Sequence, residues 1–259
     1  MNDKKYLIIS DVDGTFIDYD ENLVTANVDA VKRFIAAGHY FTFATGRFTD
    51  TLGEMVPGYE ELMNVPGIFS NGAYLSWPNG KEKLFPHYLD GKFNLRIIRQ
   101  IEKKWPSVNI RFTNDDGICW TKEKSDGEID VDRVWHKVVV IDDPGILSEV
   151  RSWMNVAYPG MFRMMKSSER LLEWQSLEAG KGVCVPRLKE WIRTNLHEDV
   201  TAFAVGDYEN DLEMLQAADV ACCPSNSIPE IKSICSVELC DCRDGAVADL
   251  IDRLLNDKL

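Results

Sequence analysis

Nowhere in its 259 residues does the sequence contain an apolar run approaching the roughly 18–20 residues needed to cross a bilayer. This speaks against a membrane-spanning protein. The polar start Met1-Asn2-Asp3-Lys4-Lys5 leads straight into a short strand-like run, and a soluble cytoplasmic protein is expected. Basic charge is scarce: 29 Lys and Arg face 42 Asp and Glu, a formal net charge of −13. Nucleic acids and anionic membranes are recognised through clustered cations, so neither is an expected partner. Cysteine pairs are also missing, since the seven cysteines (Cys119, Cys184, Cys222, Cys223, Cys235, Cys240 and Cys242) are odd in number and form no C-x-x-C. Their spacing fits no zinc finger or ribbon, and reduced, mostly buried thiols are expected.

Several enzyme classes are excluded by missing motifs. There is no G-x-S-x-G, H-E-x-x-H, P-loop or G-x-G-x-x-G, and the four histidines (His39, His87, His136, His197) are scattered. Internal repeats and low-complexity tracts are absent too.

What the chain does have is 45% hydrophobic residues, enough for a substantial core, and an alternation of strand-like and helix-like segments. Tyr6-Leu7-Ile8-Ile9-Ser10 is a short continuous apolar run, the pattern of a strand buried on both faces and central in a parallel sheet. Val28, Val31, Phe34 and Ile35 then recur at helical spacing, with Thr25 as candidate N-cap and Gly38 as stop. His39 to Ala44, Gly67 to Ser70 and Thr201 to Val205 read as further strands, and Asn210 to Ala218 as a helix.

The middle of the chain is organised differently. Asn79-Gly80 reads as a hairpin turn, Asn94 to Trp105 and Leu147 to Met154 as helices, and Lys137 to Ile141 as a strand. The expected architecture is α/β: a Rossmann-like, doubly wound parallel-sheet core from residues 1–83 and 177–259, with an inserted α+β module at 84–176.

The acidic residues that stand out follow strands. Asp11-Val12-Asp13-Gly14-Thr15 comes directly after the first buried run, where open α/β sheets place their ligands, and Gly14 allows a turn that brings both carboxylates toward one site. A calcium loop does not fit, because the sixth position of a loop starting at Asp11 is Phe16. Gly206-Asp207-Tyr208-Glu209-Asn210-Asp211 repeats the arrangement at a second strand end.

If Asp11, Asp13, Asp207 and Asp211 converge, each pair of charges ~4 Å apart repels by ~4 kcal/mol at an effective dielectric of 20. A cation is therefore required, and an all-oxygen donor set suits Mg²⁺ better than zinc. Thr45-Gly46-Arg47 after another strand offers a hydroxyl and unhindered N–H groups to a phosphate, while Lys181 between Gly180 and Gly182 offers a positive charge at a helix start.

In order and spacing, DVDGT, ATGR, the glycine-flanked lysine and GDYEND resemble the four motifs of the haloacid dehalogenase-like phosphohydrolases. Asn71-Gly72-Ala73 and Asp244-Gly245 are similar to the Cof-type subgroup with a large α/β cap. Because 29 residues separate Thr15 from Thr45 and 135 separate Thr45 from Lys181, the cap belongs in the second position. One stretch departs from the pattern: Cys222 to Ser227 carries cysteines and proline where related chains have small residues, glycine and an Asn-Ala pair.

The resemblance implies Asp11 as nucleophile and Asp13 as general acid and base. It implies Mg²⁺ held by Asp11, the Asp13 carbonyl and Asp207 with Asp211 in support, and phosphoryl binding by Thr45, Gly46, Asn210 and Lys181. Arg47 would face the leaving group. The expected activity is Mg²⁺-dependent hydrolysis of a small phosphorylated metabolite, most simply a sugar phosphate, by a monomer or homodimer. A phosphomutase with the same cap and a non-catalytic phosphometabolite sensor are the alternatives. The charge excess has a location: residues 84–176 hold 14 basic and 14 acidic side chains, so the predicted core carries 15 basic and 28 acidic ones.

Overall fold

The computed structural model describes residues 4–78, 80, 82–122 and 124–259. Its strands are β1 (Lys5–Ser10), β2 (Tyr40–Phe43), β3 (Gly67–Phe69), β4 (Tyr74–Ser76), β5 (Lys83–Leu84), β6 (Asn109–Asn114), β7 (Gly117–Trp120), β8 (Lys137–Ile141), β9 (Phe162–Ser168), β10 (Leu171–Ser176), β11 (Val200–Val205), β12 (Val220–Pro224) and β13 (Val237–Leu239). The helices are α1 (Thr25–Ala36), α2 (Thr49–Met55), α3 (Gly91–Lys104), α4 (Pro144–Ala157), α5 (Lys181–Leu196), α6 (Leu212–Ala217), α7 (Pro229–Lys232) and α8 (Ala246–Leu255). They divide into two compact units, Met1–Phe85 with Gly180–Leu259, and Pro86–Ala179.

In the first unit the sheet order is β13-β12-β11-β1-β2, with every neighbouring pair parallel. A bridge between Ala44 and Ile68 carries β3 alongside β2, so β1 lies in the interior, as its apolar run requires. Leu7 and Ile9 share a core with Cys184, Val185, Leu188 and Ile192 of α5 and Met214 and Leu215 of α6. Phe16, Phe41 and Phe43 pack edge to face or tilted, with centroids 4.9–5.9 Å apart, and α1 packs against β2 and α8.

Helix ends show where local signals succeed. Gly38 takes φ +87° just past α1 and its N–H bonds the Ile35 carbonyl at 2.9 Å, which stops the helix. Thr25 is not the N-cap: extended Val24 holds that position without a side-chain cap, and its carbonyl takes the Asn27 N–H at 3.0 Å. The helix expected over Asn210 to Ala218 starts instead as a 3₁₀ turn at Glu209–Asp211 before α6. Asn79 lies outside the described residues; β4 and β5 on either side of it pair antiparallel.

The second unit is an antiparallel sheet of order β7-β6-β8-β10-β9 with α3 and α4 on one face. Alternating residues Ile110, Phe112, Val138, Val140, Leu172 and Trp174 pack against Leu95, Ile98 and Ile101 of α3 and Leu147, Val150 and Met154 of α4. Both helices begin earlier than their apolar periodicity suggests, because the Asp90 carboxylate caps α3 at the Phe93 N–H (2.6 Å) and Pro144 starts α4. Of the intervening residues, Arg111 and Glu173 are charged and Val139 is apolar, and Lys137 and Glu173 form a buried ion pair at 2.6 Å.

Candidate active site

The parallel register brings several loops to one edge of the first sheet. The Asp11 N–H bonds the Val205 carbonyl and the Ala44 N–H bonds the Ser10 carbonyl, both at 2.8 Å. The loops after β1, β2 and β11 therefore leave the sheet side by side. After β1 the N–H groups of Phe16 and Ile17 both bond the Val12 carbonyl, and Gly14 sits at φ +74°. A Cβ at Gly14 would come within 2.5 Å of the Tyr19 ring and 2.7 Å of Asp207, so glycine is needed for space as well as conformation.

Oxygen atoms of Asp11, Asp207 and Asp211 all lie within 4.8 Å of one another, and the three residues are buried. Lys181, at the first position of α5, places its buried Nζ 2.7 Å from both Asp11 Oδ1 and Asp211 Oδ1. Burial, then the Asp211 charge, pushes the Asp11 carboxyl well above the ordinary range despite Lys181. The same two causes push Asp207 up to about 7. Burial works against the Lys181 charge, yet Asp11 and Asp211 outweigh it and hold its pKa above the usual value. Ionised together, the three carboxylates against one ammonium would leave two negative charges uncompensated among buried oxygens, a repulsion relieved by protons or by a cation. That donor set fits a hard divalent cation.

Asp211 is the most constrained of the three. Its Oδ2 accepts the N–H groups of Asp207 (3.1 Å) and Tyr208 (3.3 Å), which tightens the turn into 3₁₀ form, while Oδ1 takes Lys181. A Cβ at Gly206 would lie 2.5 Å from this carboxylate, so the close approach depends on the glycine.

Asp13 stands apart. Its carboxylate is outside the buried cluster and turns to Arg47, whose Nε lies 3.2 and 3.0 Å from its two oxygens and whose Nη2 also bonds Oδ1. Arg47 further pairs with Glu21 at 2.8 Å. The structure thus places the Arg47 guanidinium on two carboxylates of its own chain.

Thr45 is fully buried; its hydroxyl accepts the Arg47 N–H at 3.1 Å, wrapping the loop through Gly46. The Asn210 amide donates to Asn71 Oδ1 at 3.3 Å. Asn71 belongs to a run of three left-handed residues, Ser70 (φ +50°), Asn71 (+55°) and Gly72 (+87°). This turn joins the loops: Ser70 N–H bonds the Arg47 carbonyl, Asn71 N–H the Thr45 carbonyl, and the Gly72 carbonyl accepts the Gly180 N–H. Such backbone costs roughly 1–2 kcal/mol for each non-glycine residue, so tertiary contacts impose it.

Reading the sequence missed Tyr19, Glu21 and Asn226. They lie in polar loops without periodicity, and only the fold carries them to the site. Asp18 shapes the first loop by accepting the N–H groups of Asp20 (2.9 Å) and Asn22 (2.7 Å), and the Asn22 bonds are the main reason its carboxyl is held low.

Residues 8–251 match the sequence profile of the haloacid dehalogenase-like hydrolases. A phosphoglycolate phosphatase of Sulfurisphaera tokodaii is 30% identical over 139 residues, covering 49% of this chain and 61% of that protein, less than two thirds of its length. A pyridoxal phosphate phosphatase of Escherichia coli is 22% identical over 270 residues, covering 95% of this chain and 97% of the other. The solved structure of a subclass IIB sugar phosphatase superposes with a TM-score of 0.77 at 15% identity, covering 96% of this chain and 99% of that one, a likeness of fold. With a profile spanning nearly the whole chain, the protein belongs to the haloacid dehalogenase-like hydrolases.

Proposed function

We propose that the protein is a Mg²⁺-dependent phosphatase that hydrolyses a small phosphomonoester through an aspartyl-phosphate on Asp11. The carrying observation is the Asp11 carboxylate itself, buried at a strand end, 2.7 Å from the Lys181 ammonium and grouped with Asp207 and Asp211. A nucleophile needs an aimed, ionised oxygen: the hydrogen bond from Lys181 aims it, and a bound cation would offset the burial that otherwise favours its protonated form. Asp11, Asp207 and the Asp13 carbonyl would hold the cation. Mg²⁺ supplies charge neutralisation to the cluster and to the phosphoryl oxygens.

In the first step an Asp11 oxygen forms a bond to phosphorus while the bond to the leaving alkoxide breaks, and Asp13 gives that alkoxide its proton. In the second, water attacks phosphorus, Asp13 takes its proton, and the Asp11–phosphorus bond breaks. Lys181 stays charged throughout and offsets the negative charge of the transferring group. Protonation removes the negative charge of Asp13 and weakens the bonds it accepts from Arg47, so the Arg47 contact loosens as the acid form is made.

A sugar phosphate is the proposed substrate class, supported by the activity named for the fold neighbour of subclass IIB. The test is release of inorganic phosphate from a panel containing hexose phosphates, phosphoglycolate and pyridoxal phosphate, with Mg²⁺ or with chelator. Asp11→Asn is expected to abolish turnover in a folded protein. Positional isomers of a hexose phosphate without free phosphate would overturn the hydrolase reading, and turnover in chelator would overturn the metal requirement.

A further inference from the structure

Tyr19 is 60% exposed, yet its hydroxyl donates to Asp207 Oδ2 at 2.6 Å. An exposed phenol has water as an easy alternative partner, so a short bond to one particular carboxylate needs a cause. Two are visible. The ring is seated over Gly14, where any side chain would collide with it. The hydroxyl also receives a hydrogen bond from Asn226 Nδ2 at 3.2 Å, which leaves its own proton to point at Asp207.

Asn226 is itself fixed. Its Nδ2 donates to the Gly14 carbonyl at 2.9 Å and its Oδ1 accepts the Cys242 N–H at 2.8 Å. A directional chain therefore runs from the Cys242 amide through Asn226 and Tyr19 to Asp207.

On the far side of the carboxylate, the Thr15 hydroxyl donates to Asp207 Oδ1 at 3.1 Å. An ionised carboxylate offers about four lone-pair directions, so one donor on each oxygen orients the group and still leaves a direction free on each. Both donors are neutral. They hold Asp207 in place without adding a positive charge to the cluster.

We propose that Tyr19, aimed by Asn226, is a positioning residue that presents Asp207 to a divalent cation and so sets the affinity of the site for Mg²⁺. The inference rests on the metal reading given above. Donors behind a metal-binding carboxylate are commonly worth about 10- to 100-fold in metal affinity.

The experiment is calorimetric titration of the substrate-free full chain with Mg²⁺ alone. Tyr19→Phe keeps the ring over Gly14 and removes only the hydroxyl; its Kd for Mg²⁺ is expected to rise about 10- to 100-fold. Asn226→Ala leaves the hydroxyl present but unaimed and is expected to weaken binding by a smaller factor. Tyr40→Phe, whose hydroxyl bonds Glu198 away from the cluster, is expected to leave the Kd unchanged. Melting in chelator checks folding, and if Tyr19→Phe is unfolded, Asn226→Ala carries the test. A Kd within twofold of the unaltered protein for both variants, tighter binding by Tyr19→Phe, or equal weakening by Tyr40→Phe would overturn the proposal. No Mg²⁺ binding by the unaltered protein would overturn the metal reading and this inference together, an outcome distinct from intact binding that ignores Tyr19.

Discussion

Arg47 grips Asp13 by both carboxylate oxygens while its Nη2 also reaches Glu21 at 2.8 Å. The guanidinium is thus divided between two carboxylates, and Asp13 is held toward the half-exposed side of the site instead of joining Asp11 among the buried carboxylates.

A general acid matters in proportion to how poor the leaving group is. Asp13→Asn is expected to lower kcat for alkyl phosphates by about 100- to 10,000-fold, the range of acid–base contributions. The loss in the first step should be much smaller with 4-nitrophenyl phosphate, whose phenolate leaves unprotonated, giving a burst of nitrophenolate before slow dephosphorylation. Stopped-flow absorbance reads this, and an equal loss in the first step for both substrates would refute the assignment.

The raised pKa of Asp207 makes stability depend on pH. A carboxyl that holds its proton more tightly folded than unfolded contributes stability that is full below about pH 4 and lost as the pH rises toward 7. In chelator, the melting temperature is therefore expected to fall across that window. Mg²⁺ competes with the proton, so its stabilising effect should be larger at pH 8 than at pH 5. Melting curves at both pH values, with and without Mg²⁺, check the sign.

Ser70 combines a left-handed backbone with a buried hydroxyl oxygen that has no hydrogen-bond partner. Glycine removes both penalties, together about 2–5 kcal/mol, at an entropic cost of about 0.5–1 kcal/mol. Ser70→Gly is expected to raise the urea midpoint. A lower midpoint would show that the hydroxyl has a use in the fold.

In the second unit, Glu173 keeps its charge against the penalty of burial because Lys137 lies 2.6 Å away and the Ser167 hydroxyl donates to its other oxygen. Lys137→Met removes the cation nearest that buried carboxylate, leaving Arg111 as a remaining positive charge acting on it, and is expected to cost up to about 3–5 kcal/mol, whereas the double change Lys137→Met with Glu173→Leu should recover most of it. Chemical denaturation of the single and double variants measures the difference.

Much of this protein is legible in sequence because it depends on local chemistry. The apolar run at Tyr6 to Ser10 demands burial on both faces, the stop at Gly38 needs only a left-handed glycine, and the four motifs lie in an order and spacing that match their family. A strand end followed by Asp-x-Asp-Gly-Thr already places carboxylates at a ligand-binding edge.

What sequence alone left open is which carboxylates share a site. Asp11 and Asp13 are two residues apart but belong to different environments, while Asp11 and Asp211 are brought together by the parallel pairing of β1 with β11. Tyr19, Glu21 and Asn226 carry no periodic signal, and their contacts with Asp207, Arg47 and Gly14 exist only once the turns after β1 and β12 are folded. Composition and motif specify the chemistry available. Long-range strand register, which no local preference encodes, decides which groups meet and therefore which are charged.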